Sequence, residues 1–252
     1  MRPVTACLVI LITFGGVASA QPGRTVDRQL AMIQYRMGLE EMQSERWEKA
    51  AATFGRAIDI DPTFEMAYYA LGRTHLSQKK HLEAAAALTK CRDLYQAEAG
   101  TSFSTAQEAQ LRRRDRITEL DDLIRQYQSR PQTVQTAEAL RQLQETRRQL
   151  QESLQRGTNL SIDASVPSYV SLALGSAYFR LGRLADAERE YKATLAADPK
   201  TGEAHSNLAV VYLLTGRYDD AQKAVKAAEK VGFKVNPMLK DDIAAKGTAE
   251  AK

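Results

Sequence analysis

The stretch "LGSAYFRLGRLADAEREYKATLAADP" (174–199) sets Leu174-Gly175, Tyr178, Gly182, Ala187, Tyr191 and Asp198-Pro199 at intervals that return elsewhere in the chain. Shifted by 34 residues, Leu174 falls on Leu208, Gly175 on Ala209, Tyr178 on Tyr212, Gly182 on Gly216, Ala187 on Ala221 and Tyr191 on Val225. Nearer the start, Met37 falls on Leu71, Gly38 on Gly72, Ala50 on Ala84, Phe54 on Leu88 and Ala57 on Cys91 at the same period. Self-similarity at a period of this size marks a repeat architecture, in which each unit buries its apolar face only by stacking on its neighbours.

The spacing has a physical reading. Gly72 and Gly175 let a neighbouring helix approach closely, with Leu71 and Leu174 beside them on the packed face. Ala50, Ala84, Ala187 and Ala221 are small where a second helix crosses the first. One turn later on that face, Phe54, Leu88, Tyr191 and Val225 are expected to fill the gap to the next unit. Asp61-Pro62 and Asp198-Pro199 end the second helix, because proline cannot continue one and disfavours helix in the residue before it.

On these residues the chain resembles the tetratricopeptide repeat family, whose unit is a 34-residue helix–turn–helix with Leu-Gly, Tyr, Ala, Phe and Pro at set places. The resemblance covers 31–64, 65–98, 168–201 and 202–235, which is 136 of 252 residues. It departs from the pattern at Glu41 and His75, which replace the Tyr, and at Gln96 and Phe233, which replace the final Pro. The implied fold is all-α, a helical-repeat solenoid. Gly and Pro number only 14 and 7 in the chain, which agrees with helix throughout.

Between the two pairs of repeats lies 99–167, about two units long and without the signature. Two helical stretches stand out there, 104–128 and 132–156, separated by Ser129-Arg130-Pro131-Gln132. Ser104 with Gln107 three residues on reads as a capping box. Ile117, Leu120, Ile124 and Tyr127, and then Leu140, Leu143, Leu150 and Leu154, form a modest coiled-coil seam. The expectation is a long antiparallel helical hairpin separating the repeat pairs; two eroded repeats are the alternative. Between 105 and 156 stand 10 Arg, no Lys, 8 acidic residues and 11 Gln. The run Leu111-Arg112-Arg113-Arg114-Asp115-Arg116 invites a nucleic-acid reading. Interleaved acids, with Asp121–Arg125 and Arg148–Glu152 at helix-pair spacing, and Tyr127 as the sole aromatic for stacking, argue against it.

The first twenty residues are of another kind. Arg2, an apolar run from Ala6 to Phe14 and Ala18-Ser19-Ala20 make the three-part pattern of a secretory signal peptide cleaved after Ala20. The run is short for a membrane span of about 20 residues, so no stable insertion is expected after cleavage. Cys7 opens the apolar run instead of closing it, which excludes a lipidated cysteine. Cleavage leaves Cys91 as the single cysteine, expected to be a small buried residue, and no internal disulfide. It also leaves 34 basic against 31 acidic side chains, too weak a bias to imply a nucleic-acid partner.

Chemistry-bearing patterns are not found. His75, His81 and His205 lack a second ligand at metal spacing, no glycine-rich phosphate loop or nucleophile elbow occurs, and no catalytic residue, cofactor or metal is expected. The resemblance implies instead a concave partner-binding surface lined by the first helices. At i, i+3 and i+7 that surface takes Met32, Tyr35 and Leu39, then Met66, Tyr69 and Arg73, then Tyr169, Leu172 and Ser176. Arg36 and Asn207 join them, and Glu203, Ser206 and Val210 continue the line. This apolar, Met-rich groove suits a hydrophobic or helical segment of another protein; the competing expectation is that residues 24–30 or the hairpin cover it.

The resulting expectation is a signal peptide (1–20), a repeat pair (21–98), the insert (99–167), a second repeat pair (168–235) and a capping helix with a frayed tail (236–252). Its role would be a non-enzymatic interaction scaffold or adaptor of the bacterial envelope, periplasmic or secreted, with a protein or peptide partner. The alternative is a structural subunit that forms a homo-oligomer through the hairpin.

Overall fold

Four left-handed turns set the helical pairs. Glu45, Lys79, Gly182 and Gly216 occupy the same place in the four units and have φ of 54°, 59°, 72° and 75°. Each reverses the chain between a first and a second helix. The computed structural model describes residues 22–99, 103, 105–129, 131, 133–156 and 165–250; the leader at 1–20 and Ser104 lie outside the described residues.

Eleven helices and no strand are found among the described residues. They are α1 (Pro22–Gln43), α2 (Trp47–Ile60), α3 (Glu65–Ser77), α4 (His81–Ala99), α5 (Ala106–Gln128), α6 (Val134–Arg156), α7 (Ser168–Arg180), α8 (Leu184–Ala197), α9 (Gly202–Leu214), α10 (Tyr218–Lys230) and α11 (Pro237–Glu250). The fold is an all-helical solenoid. Thr105 is the N-cap of α5, its hydroxyl accepting from the Glu108 amide at 3.1 Å. Asn236 Oδ1 accepts from the Met238 amide at 3.0 Å, and α11 runs from Pro237 to Glu250. At Gly247 an added Cβ would sit 3.5 Å from Tyr218, so this part of α11 lies on α10.

The glycine of each unit is required by its own second helix. A Cβ built at Gly38 would lie 2.5 Å from the Phe54 ring, at Gly72 2.5 Å from Leu88, and at Gly175 2.7 Å from Tyr191. Phe54, Leu88 and Tyr191 therefore pack back over the glycine 16 residues earlier. In the fourth unit Ala209 and Val225 stand at the places of the glycine and of the larger side chain, and both are buried. Gly202 has no role in the sequence pattern, yet its Cβ would fall 2.2 Å from Phe233.

Each later first helix stacks on the preceding second helix: α3 on α2, α7 on α4 and α9 on α8. Because α7 packs directly on α4, the four pairs form one continuous stack, and the insert interrupts the sequence without interrupting the solenoid. Arg92 Nη1 donates to Glu190 Oε1 at 2.8 Å and Thr89 Oγ1 meets Tyr178 Oη at 3.1 Å across this join. Cys91 is fully buried there, and burial pushes its thiol up. Helices α5 and α6 pack on each other, with Arg147 Nε donating to Asp121 at 2.5 Å, and lie against the first-helix side of the stack.

Candidate functional site: the inner face and its resident helix

Tyr35, Leu39, Met66, Tyr69 and Tyr169 come together on the inner face, all buried. The Tyr35 ring lies 5.2 Å from Phe64 and 5.9 Å from Phe54, and Tyr69 meets Tyr169 edge-on at 5.0 Å. Tyr95 and Tyr169 share a hydroxyl contact of 3.3 Å and both point their hydroxyls at the Met66 sulfur. Among the described residues Tyr35 Oη meets no hydrogen-bond partner, and burial, with Glu119 and Asp122 nearby, raises its phenol well above the ordinary value. Met32 and Leu172 are half-buried against the same cluster. Ser176 turns its hydroxyl to the Leu172 carbonyl, and Asn207 is half-exposed further along the face.

Helix α5 lies over the N-terminal half of this surface. Leu120, Leu123, Ile124 and Tyr127 bury themselves there, and Gln126 Nε2 donates to the Met42 sulfur at 3.6 Å. Arg73 stacks over Tyr127 at 4.6 Å and Tyr69 at 5.8 Å, joining the floor of the groove to the helix above it. Arg36 Nε donates to Asp122 of α5 at 2.7 Å. Of the two expectations for the groove, coverage by the insert is the arrangement observed: α5 occupies it, so Tyr35, Met66 and Tyr69 face a helix of their own chain.

A buried charge network clasps that helix. Arg28 of α1 donates to Asp61 at 2.9 Å, to Glu65 at 2.9 Å and to Glu119 of α5 at 2.8 Å. Arg112 of α5 pairs with Glu65, with Glu98 at 2.8 Å and with Glu119 at 3.4 Å. Arg116 reaches Glu98 at 2.5 Å and Glu65 at 3.3 Å, its guanidinium 4.6 Å above Tyr95. Burial pushes the Glu65 carboxyl up, but the guanidiniums of Arg112, Arg28 and Arg116 outweigh it and hold the group well below the usual carboxylate range. Glu119 shares Arg28 and Arg112 with Glu65; burial dominates there and keeps its carboxyl above the usual range.

None of these charged residues stands out as a site in the sequence. The run 111–116 carried the signal, because its arginines at 112 and 116 are one turn apart and share a face. They face inward to carboxylates, and Arg113 is fully buried, so the run does not form a basic outer surface. Of the two expected helix pairs, Arg148–Glu152 forms, while Asp121 takes Arg147 and Arg125 takes Asp122. The exchange has a simple cause: Arg147 reaches Asp121 from the facing helix.

Helix α6 fastens the insert to the other half of the stack. Arg141 Nη2 donates to Asp198 at 2.7 Å and Gln142 Nε2 to Thr201 at 2.9 Å. Glu138 accepts from the Glu203 amide at 3.4 Å, standing over the start of α9, where unpaired amides favour a carboxylate. Burial, and for Glu203 also the Glu138 charge, raises both carboxyls. Between α5, α6 and the start of α7 an open cleft of about 1090 Å³ remains, with Met66 and Tyr169 among its lining.

The histidines are engaged locally. His75 Nδ1 lies 3.1 Å from Gln78 Oε1 and His205 Nε2 lies 3.1 Å from the Pro199 carbonyl. Among the described residues no group of three or more His, Cys, Asp or Glu is arranged to hold a metal ion. No described helix is long and apolar enough to cross a membrane.

Tetratricopeptide repeat models match residues 172–232, 38–79 and 67–97. Both parts of the stack, on either side of the insert, thus carry tetratricopeptide repeat matches. Among solved structures the chain is similar to PilW, a widely conserved type IV pilus biogenesis factor, at 18% identity over 88% of this chain and 89% of that one, with a TM-score of 0.42. It is also similar to YrrB, a TPR protein with an unusual peptide-binding site, at 15% identity over 91% of this chain and 100% of that one, TM-score 0.29. A third is a thermophilic TPR protein of Thermus thermophilus, at 22% identity over 86% and 98%, TM-score 0.31. No curated protein matches the sequence.

Proposed function

We propose that this tetratricopeptide-repeat chain is an exported, non-enzymatic protein-interaction scaffold of the bacterial envelope whose inner face binds helical segments. The observation that supports the reading is α5 itself. An amphipathic helix with Leu120, Leu123, Ile124 and Tyr127 on one side sits on the tyrosine and methionine floor formed by α1 and α3. A surface that accepts one helix by an apolar row and flanking charges is built for helix-in-groove recognition. In this reading Tyr35, Arg36, Leu39, Met66, Tyr69, Arg73 and Tyr169 form the seat of the resident helix. The partner is received beside it, on the half-exposed row of Leu172, Ser176 and Asn207 and in the cleft bounded by α6.

The test is affinity capture from an envelope extract with three baits: the chain itself, Ser176→Arg with Asn207→Arg, and the chain without 105–156. A protein recovered by the first and lost with the double variant assigns the partner to the open row. Retention by the double variant with loss on deletion assigns it to the insert. Recovery of the bait alone favours the second reading, a self-associating structural subunit.

A further inference from the structure

The repeat stack closes without the insert, because α7 packs directly on α4. The seat that α5 fills is polarised along its length. Along the first half of α5 the stack supplies three carboxylates, Asp61, Glu65 and Glu98, against the one guanidinium of Arg28. Along the second half Arg36 and Arg73 of the stack meet Asp122 and Tyr127. The apolar floor of Tyr35, Met66 and Tyr69 lies under the same helix.

α5 answers this pattern on one face. Arg112, Arg116, Glu119, Leu120, Leu123 and Tyr127 fall within about 100° of arc at 3.6 residues per turn. Yet the resident helix leaves the contact incomplete. Among the described residues Tyr35 Oη on the floor, and Arg116 Nε and Gln126 Oε1 on α5, are buried without a hydrogen-bond partner. Each forfeits the bonds it would make to water. The ion pairs are buried too, and such pairs do little more than repay the cost of taking their charges out of water. The contact is specific in pattern and modest in net strength, which is the condition for exchange.

We propose that α5 is an exchangeable occupant, and that its seat takes in its place a helix of another protein built on the same plan. That helix carries two arginines one turn apart for Glu65 and Glu98, an apolar row after them, and an acidic residue further on for Arg36. The order of charges fixes its direction in the groove as well as its chemistry. While docked, α5 is a built-in competitor. A short tether holds it at an effective concentration of about 1 mM. A free helix with a dissociation constant of about 10 μM for the empty seat therefore binds the intact chain about 100-fold more weakly. The proposal rests on the reading of the inner face as a helix-binding surface, but not on the open row of Leu172, Ser176 and Asn207.

The probe is a labelled synthetic peptide of residues 105–129, read by fluorescence anisotropy against full-length chains. Leu120→Glu with Leu123→Glu, and separately Arg112→Gln with Arg116→Gln, empty the seat by disabling the chain's own α5. Both should bind the probe about 100-fold more tightly than the intact chain. Amides of 168–230 that exchange as in wild type show that the stack is kept. Glu65→Gln added to either emptied chain should weaken the probe about 100-fold, as the loss of one partner of a buried ion pair does. A probe with Arg112→Glu and Arg116→Glu should not bind. One measurement needs no substitution in the chain: with the chain enriched in 15N, so that its own α5 is told from the probe by mass, saturating probe should speed exchange in 106–128. Equal affinity for intact and emptied chains, no binding to emptied chains that keep their stack, binding of the charge-reversed probe, or an α5 that stays protected under saturating probe would each overturn the proposal. Ser176→Arg with Asn207→Arg leaves the seat untouched and should leave probe binding unchanged, so the open row can fail as a partner site while the seat still exchanges.

Discussion

Replacing Glu65 with Gln keeps the shape of the side chain and removes the charge on which α1, α3 and α5 converge. In the wild-type chain Glu65 accepts from Arg28 at 2.9 Å, from Arg116 at 3.3 Å and from Arg112, with only 2% of its side chain exposed. Removing one partner of a buried ion pair costs about 3–5 kcal/mol, because the other charge stays buried without compensation. Asp61, Glu98 and Glu119 still neutralise part of the cationic cluster, so the lower end, about 3 kcal/mol, applies here. At 1.36 kcal/mol per decade this makes the opening of α5 roughly 100-fold more frequent. The loss falls on the docking of α5, since two of the three guanidiniums belong to it, while the repeats keep their own apolar contacts. Hydrogen exchange resolved to helices should show faster exchange in 106–128 and little change in 168–230. Amides of α5 that exchange within about twofold of wild type would mean that Leu120, Leu123 and Tyr127 hold the helix without the charges. The pH dependence has a definite sign. Glu65 is held below its ordinary value, so its contribution is complete above about 4.3 and is lost as pH falls through the lowered folded-state value. Glu119 is shifted the other way and takes up a proton at milder acidity, which favours the folded state. Docking of α5 should therefore survive mild acid and fail in strong acid, when Glu65 is protonated.

Gly175→Leu should destabilise the second repeat pair by about 1–3 kcal/mol, since even a Cβ there meets the Tyr191 ring; an unchanged denaturation midpoint would contradict the packing described. Lys79→Gly should raise stability by about 1 kcal/mol by relieving a side chain held at φ 59°, read by urea unfolding, and a loss instead would show that the lysine stem contributes more than the turn costs. Glu203→Gln should raise the melting temperature at neutral pH. Burial and Glu138 raise the Glu203 carboxyl, so its ionised form penalises the fold above the folded-state value; the gain should vanish as pH falls below the unfolded one, and a gain constant with pH would refute this. Intact mass of protein recovered after export should correspond to a chain beginning at Gln21; retention of Met1–Ala20 would remove the exported reading.

The repeat period was legible because packing imposes it on single residues. A glycine is required wherever a ring or a leucine from the second helix lies within 3 Å of its Cβ position, and that requirement recurs at Gly38, Gly72 and Gly175. The occupant of the inner face was not legible. Periodicity marks which side of α5 is apolar, but a groove floor and a helix seam carry the same Leu, Met and Tyr, and nothing local states that one is the ligand of the other. The charges were harder still. Arg28, Glu65, Arg112 and Glu119 lie up to 91 residues apart, and each alone resembles a solvated surface residue.

The two ends of the insert dock by the same device. Asp61 and Asp198 occupy equivalent turns, each ending a second helix before proline, and each holds its own turn: Asp61 Oδ1 accepts from the Thr63 amide at 2.9 Å and Asp198 Oδ1 from the Lys200 amide at 3.1 Å. One carboxylate oxygen is left over, and in both turns an arginine takes it. Arg28 approaches Asp61 and carries on to Glu119 of α5, while Arg141 brings α6 directly to Asp198. The first and third units thus each supply an acidic turn, which the insert meets directly through Arg141 at Asp198 and by way of Arg28 through Glu119 at Asp61. Apolar burial alone would let α5 slide along a floor of tyrosines and methionines, because such contacts are non-directional. Charge-assisted bonds to fixed turns set its register. Under the proposed function, a partner helix on the remaining inner face would meet a groove whose wall is already fixed in position, and its specificity would be decided by what α5 and α6 leave exposed.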